Sequence, residues 1–521
     1  VTKEVQMKRS ERATRRLHEQ VERIIDEGTG ERRSVIVRMA EPQDDITVLV
    51  GIATDAIRAR ALSRTARDIL PSSVDVVRGK TRGKLSTRER RVLAEDQVSS
   101  VAQVAASEVT TVTKRQLVST GRKALAPLLS SDAAKTALPT QAHGTPPGPS
   151  VFWSSRSAVL ELHKADLARL PGEVESIMDI APNRMLRVPP TVEVKALPRR
   201  AVDNKASAWG IYRIGAMSAW GAYGARGRGV VVAVLDTGID AEHPDLQGKI
   251  SAWAEFDPNG REVEGSKPHD TDQHGTHVAG TIVGGNASGK WIGVAPEAQV
   301  AAALVIDGKK GGTDAQVLAG IDWALERGAH VISMSLGGLT LEAQAPSAYT
   351  AAILTALRSG VPVVAAIGNE GLQTSGSPGN DLFAFAIGAT DPEDRPAGFS
   401  GGRTQVLFQS SFISEEFLPF PYMKPEVSAP GVAVESSVPG GKWAAFSGTS
   451  MATPHASGAI ALLLSATSNL KAVDAEQRAF LLQDLLIGSV EELGESGQDH
   501  RFGFGRIDVL RSIGFARDGG F

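Results

Sequence analysis

The sequence predicts an α/β protein: a mostly parallel central sheet covered by helices on both faces, three layers in all, preceded by a smaller α+β domain. Three observations carry this. The apolar runs GVVVAVLDTG, AQVAAALVI, GAHVISMSLGG, GVPVVAAIGNEG and FAFAIGAT recur through the second half of the chain. Amphipathic segments such as DAQVLAGIDWALERG and APSAYTAAILTALRSG separate them. Apolar strands alternating with helices are what a parallel sheet buried on both faces requires. In the first half, AVLELH, KADLARL and EVESIMDIAP read strand, helix, strand, with the helix ending at Pro171-Gly172.

Taken in order, residues 1–27 predict a charged helix, exposed or seeking a partner. GTGE turns the chain and RRSVIVRMA alternates like a strand. From Ile52 to Ala137 the chain is rich in Ala, Arg and Val at helical spacing. Between Gly51 and Ser150 sixteen Lys/Arg stand against eight Asp/Glu, a local basic excess that reads as a solvated helical face. LPTQAHGTPPGPS, Leu138–Ser150, is a linker. A second proline-rich stretch, VPPTVEVKALPRR from Val188 to Arg200, divides an N-terminal domain, 1–200, from a larger one, 201–521.

Composition excludes several classes. The chain has 521 residues, 42 % hydrophobic and 22 % charged, with a net charge of -3. That balance points to neither nucleic acid nor a membrane as partner. The absence of cysteine rules out disulfides, thiolate metal sites and cysteine nucleophiles. No apolar run reaches the roughly 18 residues that span a bilayer. The stretch VTKEVQMKRSERATRRLHEQ lacks the apolar core of a signal peptide. The expected localisation is therefore secreted if a leader was removed, and cytoplasmic otherwise.

Ligands of such sheets sit beyond the carboxyl ends of the strands. Three polar residues in glycine-rich settings fall at strand or helix ends: Asp236 in VLDTGID, His274 in QHGTHVAGT and Ser450 in SGTSMATPH. A serine hydroxyl is a weak nucleophile that needs a base within about 2.6–3.2 Å and a third group to orient that base. Imidazole takes and returns a proton near neutral pH. A carboxylate on its far nitrogen fixes the tautomer and stabilises the imidazolium. Met451-Ala452-Thr453-Pro454 predicts the start of an apolar helix with proline in its first turn, which puts Ser450 at the positive end of the helix dipole. The Ser450 N–H and the Asn369 side chain are candidate donors to an oxyanion, with Thr449 near enough to assist. Asp240, His243, His277 and His455 read as structural, and a zinc pair at His274 and His277 has no third ligand at a clear spacing.

VLDTGID, HGTHVAG and GTSMATPH are similar to the three motifs of the subtilisin-like serine proteases, the subtilases, and the likeness extends over about Asn204–Ile513. The resemblance implies the subtilisin-like fold, with Asp236, His274 and Ser450 as catalytic triad and Asn369 at the oxyanion. It implies that Ser335, Leu336, Gly337 and Gly338 pair with an extended substrate, together with the Gly311-Gly312 region. Ala366, Gly368 and Glu370 form the opposite wall of the specificity pocket, with Gly376 at its base. A large apolar or neutral residue is expected before the cleaved bond, and Glu370 would admit a basic one. AVLELHKADLARLPGEVESIMDIAPNRML resembles the second half of a subtilase propeptide, a ferredoxin-like domain whose first strand is SVIVRMA. The helical stretch Ile52–Ala137 is then an insertion, and a further insertion lies at 401–427. Val192–Asp203 becomes the inhibitory tail, with the mature enzyme starting near Ala201–Lys205 and a processing site at Arg199-Arg200. Asp245 in HPDL resembles a calcium-site carboxylate. The companion loop GGNASGKW offers Asn286, no carboxylate, and Lys290. Calcium needs six to eight oxygens, so no metal is expected there, and no cofactor for catalysis.

The predicted function is a broad serine endopeptidase, made as a self-inhibited zymogen. Its partners are protein or peptide substrates and its own propeptide, and the expected state is a monomer. A second reading is a latent scaffold in which the basic insertion binds a partner. Peptide ligation at the same site is a third.

Overall fold

The computed structural model describes residues 15–27, 30–40, 114–137, 150–188, 192–197, 206–340, 349–408, 410, 412–413 and 418–521. Most of the basic stretch, nearly all of the 138–150 linker, Arg199-Arg200 and Ala201–Lys205 lie outside the described residues.

The N-terminal unit comprises helix α1 (15–26), strand β1 (Arg32–Met39), helices α2 (Lys114–Ala124), α3 (Ala126–Ser130) and α4 (Asp132–Thr136), strands β2 (Ser150–Phe152) and β3 (Ser157–His163), helix α5 (Lys164–Glu173) and strand β4 (Ile177–Pro182). Its sheet is antiparallel, in the order β2-β3-β1-β4. Strand alternation sends Val35 and Val37 into a small core with Leu160, Leu162 and Leu167. Of the two alternatives for α1, exposed or seeking a partner, the second holds: Leu17, Val21 and Ile24 bury its apolar face in that core while its other face stays exposed. One expectation is corrected here. α5 does not end at Pro171 but runs on to Glu173. Burial of Leu167, Leu170 and Pro171 on one face offsets the missing proline N–H.

Two extended segments follow, β5 (Met185–Leu186) and β6 (Val192–Leu197). The larger unit then begins with helices α6 (Trp209–Arg213) and α7 (Ala216–Tyr223). Its central sheet has seven strands: β7 (Val231–Asp236), β8 (Ile250–Glu255), β9 (Gln299–Leu304), β11 (Val331–Met334), β13 (Val363–Ala366), β15 (Phe385–Thr390) and β18 (Val427–Pro430). Their order is β18-β15-β13-β11-β7-β9-β8, and every neighbouring pair is parallel. The short strands β10 (Gly312–Thr313), β12 (Gly338–Thr340), β14 (Ser375–Ser377), β16 (Arg403–Leu407), β17 (Phe420–Lys424), β19 (Val434–Val438) and β20 (Lys442–Ser447) make small satellite sheets.

The apolar runs are explained by burial on two sides. In β7, Val232 and Val234 join one core with helices α8 (His274–Val283) and α11 (Thr449–Ala466). Ala233 and Leu235 join the other core, with helices α9 (Asp314–Glu326) and α10 (Thr350–Arg358). α12 (Ser468–Ala472), α13 (Ala475–Gly488) and α14 (Val509–Asp518) close the fold. The second core also takes in Ile36, Leu117, Phe152, Trp153 and Val159, so the N-terminal unit lies against the α9 and α10 face. Among the described residues no helix is long and apolar enough to cross a membrane.

Candidate active site

The parallel sheet delivers Asp236 as the last residue of the interior strand β7. His274 is the first residue of α8 and Ser450 the second of α11, both packed on one side of that sheet. All three side chains are buried: Asp236 and His274 are 1 % exposed and Ser450 0 %. His274 Nδ1 lies 2.7 Å from Asp236 Oδ1, which also accepts the Thr237 N–H at 2.8 Å. The carboxylate therefore holds the proton on Nδ1 and leaves Nε2 as the basic nitrogen. Nε2 is buried with no hydrogen-bond partner among the described residues. The Ser450 hydroxyl donates to the Ser335 carbonyl at 3.2 Å. Of the two links expected in the series, carboxylate to imidazole is made and imidazole to hydroxyl is not.

Burial works to lower the pKa of His274. The Asp236 charge and hydrogen bond, aided by the charges of Asp270 and Asp272, outweigh it and leave the imidazole above its ordinary value. Asp270 also builds the site. Its carboxylate accepts from Thr237 Oγ1 at 2.7 Å, Thr276 N at 2.8 Å and Thr276 Oγ1 at 2.6 Å. Thr237 Oγ1 in turn accepts the Gly275 N–H at 2.9 Å. A methyl group on Gly275 would lie 2.1 Å from the Gly238 carbonyl, and Gly238 has φ +115°. These two glycines let the end of β7 and the start of α8 touch.

α11 begins at Thr449, two residues before the predicted start, so Pro454 is its sixth residue and not in its first turn. Proline has no N–H to give the carbonyl four residues back. That carbonyl belongs to Ser450, and the Ser335 hydroxyl donates to it at 2.9 Å. Ser335 thus grips Ser450 from both sides. Asn369 Oδ1 accepts from Thr449 N and Thr449 Oγ1, each at 2.8 Å, which fixes the plane of the amide. Thr449 Oγ1 also reaches the Gly368 carbonyl at 3.3 Å, and Glu370 Oε2 accepts the Asn369 N–H at 2.9 Å. Ala366 ends β13, and Gly376 donates to the Ile367 carbonyl at 2.7 Å.

The two expected substrate-pairing segments carry a piece of the chain itself. Leu186 of β5 pairs with Gly312 of β10, next to Gly311. Arg187 exchanges two backbone hydrogen bonds with Gly337, each 3.4 Å. Leu336 is buried, and Gly338 pairs with Ser377 across β12 and β14. The segment lying between Gly312 and Gly337 is therefore Met185–Arg187, upstream of the tail predicted at Val192–Asp203. β6 instead pairs antiparallel with β20, Val192 opposite Ser447. Sequence patterning misses this because proline-rich stretches flag a boundary and carry no register.

Asp245 Oδ1 accepts the Ala287 N–H and Oδ2 the Trp443 indole N–H, both at 2.7 Å, and Lys290 bonds Glu435 at 2.6 Å. Each carboxylate oxygen of Asp245 thus accepts an N–H donor. His277 Nε2 bonds the Val434 carbonyl at 2.9 Å and its ring stacks on Phe446. Burial pushes His277 down to about 3 and His455 to about 4, so both stay neutral. His243 Nε2 bonds the Lys442 carbonyl at 2.8 Å. Asp240 accepts from Glu242 N and Gly440 N.

The family model of the subtilases, peptidase S8, matches residues 227–505, and the chain belongs to this family. It is 39 % identical to subtilisin E of Bacillus subtilis (strain 168) over 246 residues, 46 % of this chain and 57 % of that protein. It is 39 % identical to subtilisin Savinase of Lederbergia lenta over 256 residues, 49 % of this chain and 83 % of that protein. An intracellular serine protease of Paenibacillus polymyxa is 38 % identical over 260 residues, 49 % of this chain and 72 % of that protein. The chain thus spans little more than half the length of subtilisin E.

Proposed function

We propose that the chain is a serine endopeptidase in which Ser450 is the nucleophile, His274 the general base and Asp236 the group that orients it. The observation that carries this is the buried 2.7 Å contact between His274 Nδ1 and Asp236, with Nε2 left basic and without a hydrogen-bond partner among the described residues. The hydroxyl of Ser450 is a rotor, and catalytic hydrogen bonds commonly close only once substrate is bound. Turned from the Ser335 carbonyl to Nε2, Ser450 Oγ gives up its proton and attacks the peptide carbonyl. Negative charge on that oxygen is met by the Ser450 N–H at the α11 N-terminus and by the Asn369 amide, oriented by Thr449. His274 then protonates the leaving amine, and water releases the acyl group by the reverse steps.

Substrate binds by adding a strand between Gly311-Gly312 and Ser335–Gly338, so affinity depends mainly on backbone and cleavage is broad. Ala366, Gly368, Glu370 and Gly376 shape the pocket for the residue before the cut. Residues 1–200 act as a propeptide on a catalytic domain, 201–521. The paired backbone of Met185–Arg187 supports an inhibitory role for that segment, since it uses the hydrogen bonds that a substrate needs. Catalysis needs no cofactor in this scheme, and the enzyme works as a monomer.

The test is hydrolysis of an unfolded protein by the full chain, by the chain after proteolytic removal of its N-terminal residues, and by Ser450→Ala in both forms. Cleavage that appears or rises on removal, and is absent from Ser450→Ala, is expected. Equal cleavage by Ser450→Ala, or none by either form, overturns the proposal.

A further inference from the structure

The insertion at 401–427 takes no part in the chemistry above. β16 and β17 form an antiparallel hairpin, Arg403 opposite Lys424 through Leu407 opposite Phe420. The catalytic domain holds it firmly. The Gln405 amide donates to Ser375 Oγ, the Tyr422 hydroxyl donates to the Asn380 carbonyl at 2.8 Å, and Thr404 Oγ1 meets His500 Nε2 at 2.9 Å. Between the two strands, Phe412 and Ile413 are each only 3 % exposed. They share a core with Ile36 and Val159 of the N-terminal sheet.

Strand geometry makes that burial informative. Val35 and Val37 face the helices of their own domain, so Ile36 and Arg38 project from the opposite face of the sheet. A lone N-terminal domain would leave Arg38 there in water. Arg38 is instead 4 % exposed, and its Nε donates at 2.8 Å to Asp179, its buried cross-strand neighbour. Desolvating such a pair is costly. The Phe412 ring lies over it, 5.4 Å from the guanidinium carbon to the ring centroid, and a cation over an aromatic face gains most where water is excluded.

We propose that the β16–β17 insertion is a clasp that docks the N-terminal domain on the catalytic domain, with Phe412 and Ile413 covering Ile36, Val159 and the Arg38–Asp179 pair. The occupant of this surface is the chain's own N-terminal sheet. The clasp extends the proposed function, because it sets how long Met185–Arg187 stays between Gly312 and Gly337. A tethered segment rebinds at an effective concentration fixed by how its carrier is held.

The experiment uses the full chain with Ser450→Ala, so that self-cleavage does not intervene, and reads backbone hydrogen exchange peptide by peptide. Phe412→Ala is expected to speed exchange in residues 32–39 and 157–163 about tenfold and to leave residues 231–236 unchanged. Phe412→Tyr, which keeps the ring, is expected to match the parent. Arg38→Lys, which keeps the charge but loses the planar stack, is expected to move the same peptides by a smaller factor. If Phe412→Ala also speeds exchange in residues 231–236, Arg38→Lys decides alone. Exchange in 32–39 and 157–163 within twofold of the parent in Phe412→Ala and Arg38→Lys overturns the clasp. With Ser450 restored, Phe412→Ala is expected to react severalfold faster with a fluorophosphonate. Exchange that responds while no variant ever reacts keeps the clasp and counts against the peptidase.

Discussion

His274 carries the most consequential charge balance in the molecule. It is held above its ordinary pKa although burial alone would lower it. As the proposed base it must be neutral, so activity is expected to fall as pH drops through that raised value. The exposed Asp272 contributes through space. Asp272→Asn is therefore expected to move the acid limb of kcat/KM to lower pH, by an amount that shrinks with added salt. An unmoved limb would remove Asp272 from the account. Asn369→Leu is expected to cut kcat about 100- to 1000-fold with KM little changed, the loss that removing this donor causes in subtilisin. At this scale much was legible. Asp236, His274, Ser450 and Asn369 each sit in a short glycine-rich motif that local reading can find. Asp270 and the double grip of Ser335 were not, because their partners come from loops brought together only by folding.

The sheet strands were the most legible elements, since burial on both faces leaves an uninterrupted apolar run. Helix ends were harder. Pro454 suggests a first-turn position, yet α11 starts earlier because Ser335 can satisfy the carbonyl that proline leaves without a donor. α1 reads as a helix either exposed or seeking a partner, and only the folded domain shows that its own core covers Leu17, Val21 and Ile24. The junction of β17 and β18 gives an element-scale prediction. Lys424 Nζ is fully buried, 2.7 Å from both Glu426 Oε1 and the Ala384 carbonyl. Removing one partner of such a pair leaves a buried charge. Lys424→Ala should cost roughly 3–5 kcal/mol in urea unfolding of the Ser450→Ala protein. The double change Lys424→Met with Glu426→Gln should cost clearly less. Equal costs would mean that the ion pair does not govern this junction.

Across the whole molecule, carboxylates of α9 bind the N-terminal domain. Asp314 takes the Arg184 guanidinium at 2.8 and 3.1 Å and the Tyr349 hydroxyl at 2.5 Å. Asp322 accepts the Trp153 and Ser154 N–H groups at 2.7 and 3.1 Å. Burial raises Asp322 to about 7, against the two hydrogen bonds and with some help from Glu326. Undocking would expose Asp322 and return it toward 3.8. Between those values the docked form holds the extra proton, so docking weakens as pH rises through that window. Hydrogen exchange of residues 150–163 in the Ser450→Ala chain, corrected for intrinsic rate, should accelerate between about pH 4 and 7 and level off above that. Asp322→Asn should flatten the dependence, and an unchanged slope would exclude Asp322 as its source. None of this interface was legible in advance, because it joins α9 to residues 130 or more positions away.

The most direct test is peptide mapping of a fluorophosphonate adduct on the chain freed of its N-terminal residues. One adduct is predicted, on Ser450, lost in His274→Ala and in Asp236→Asn strongly slowed. An adduct on another serine, or labelling of Ser450 that is indifferent to His274, would contradict the proposed chemistry.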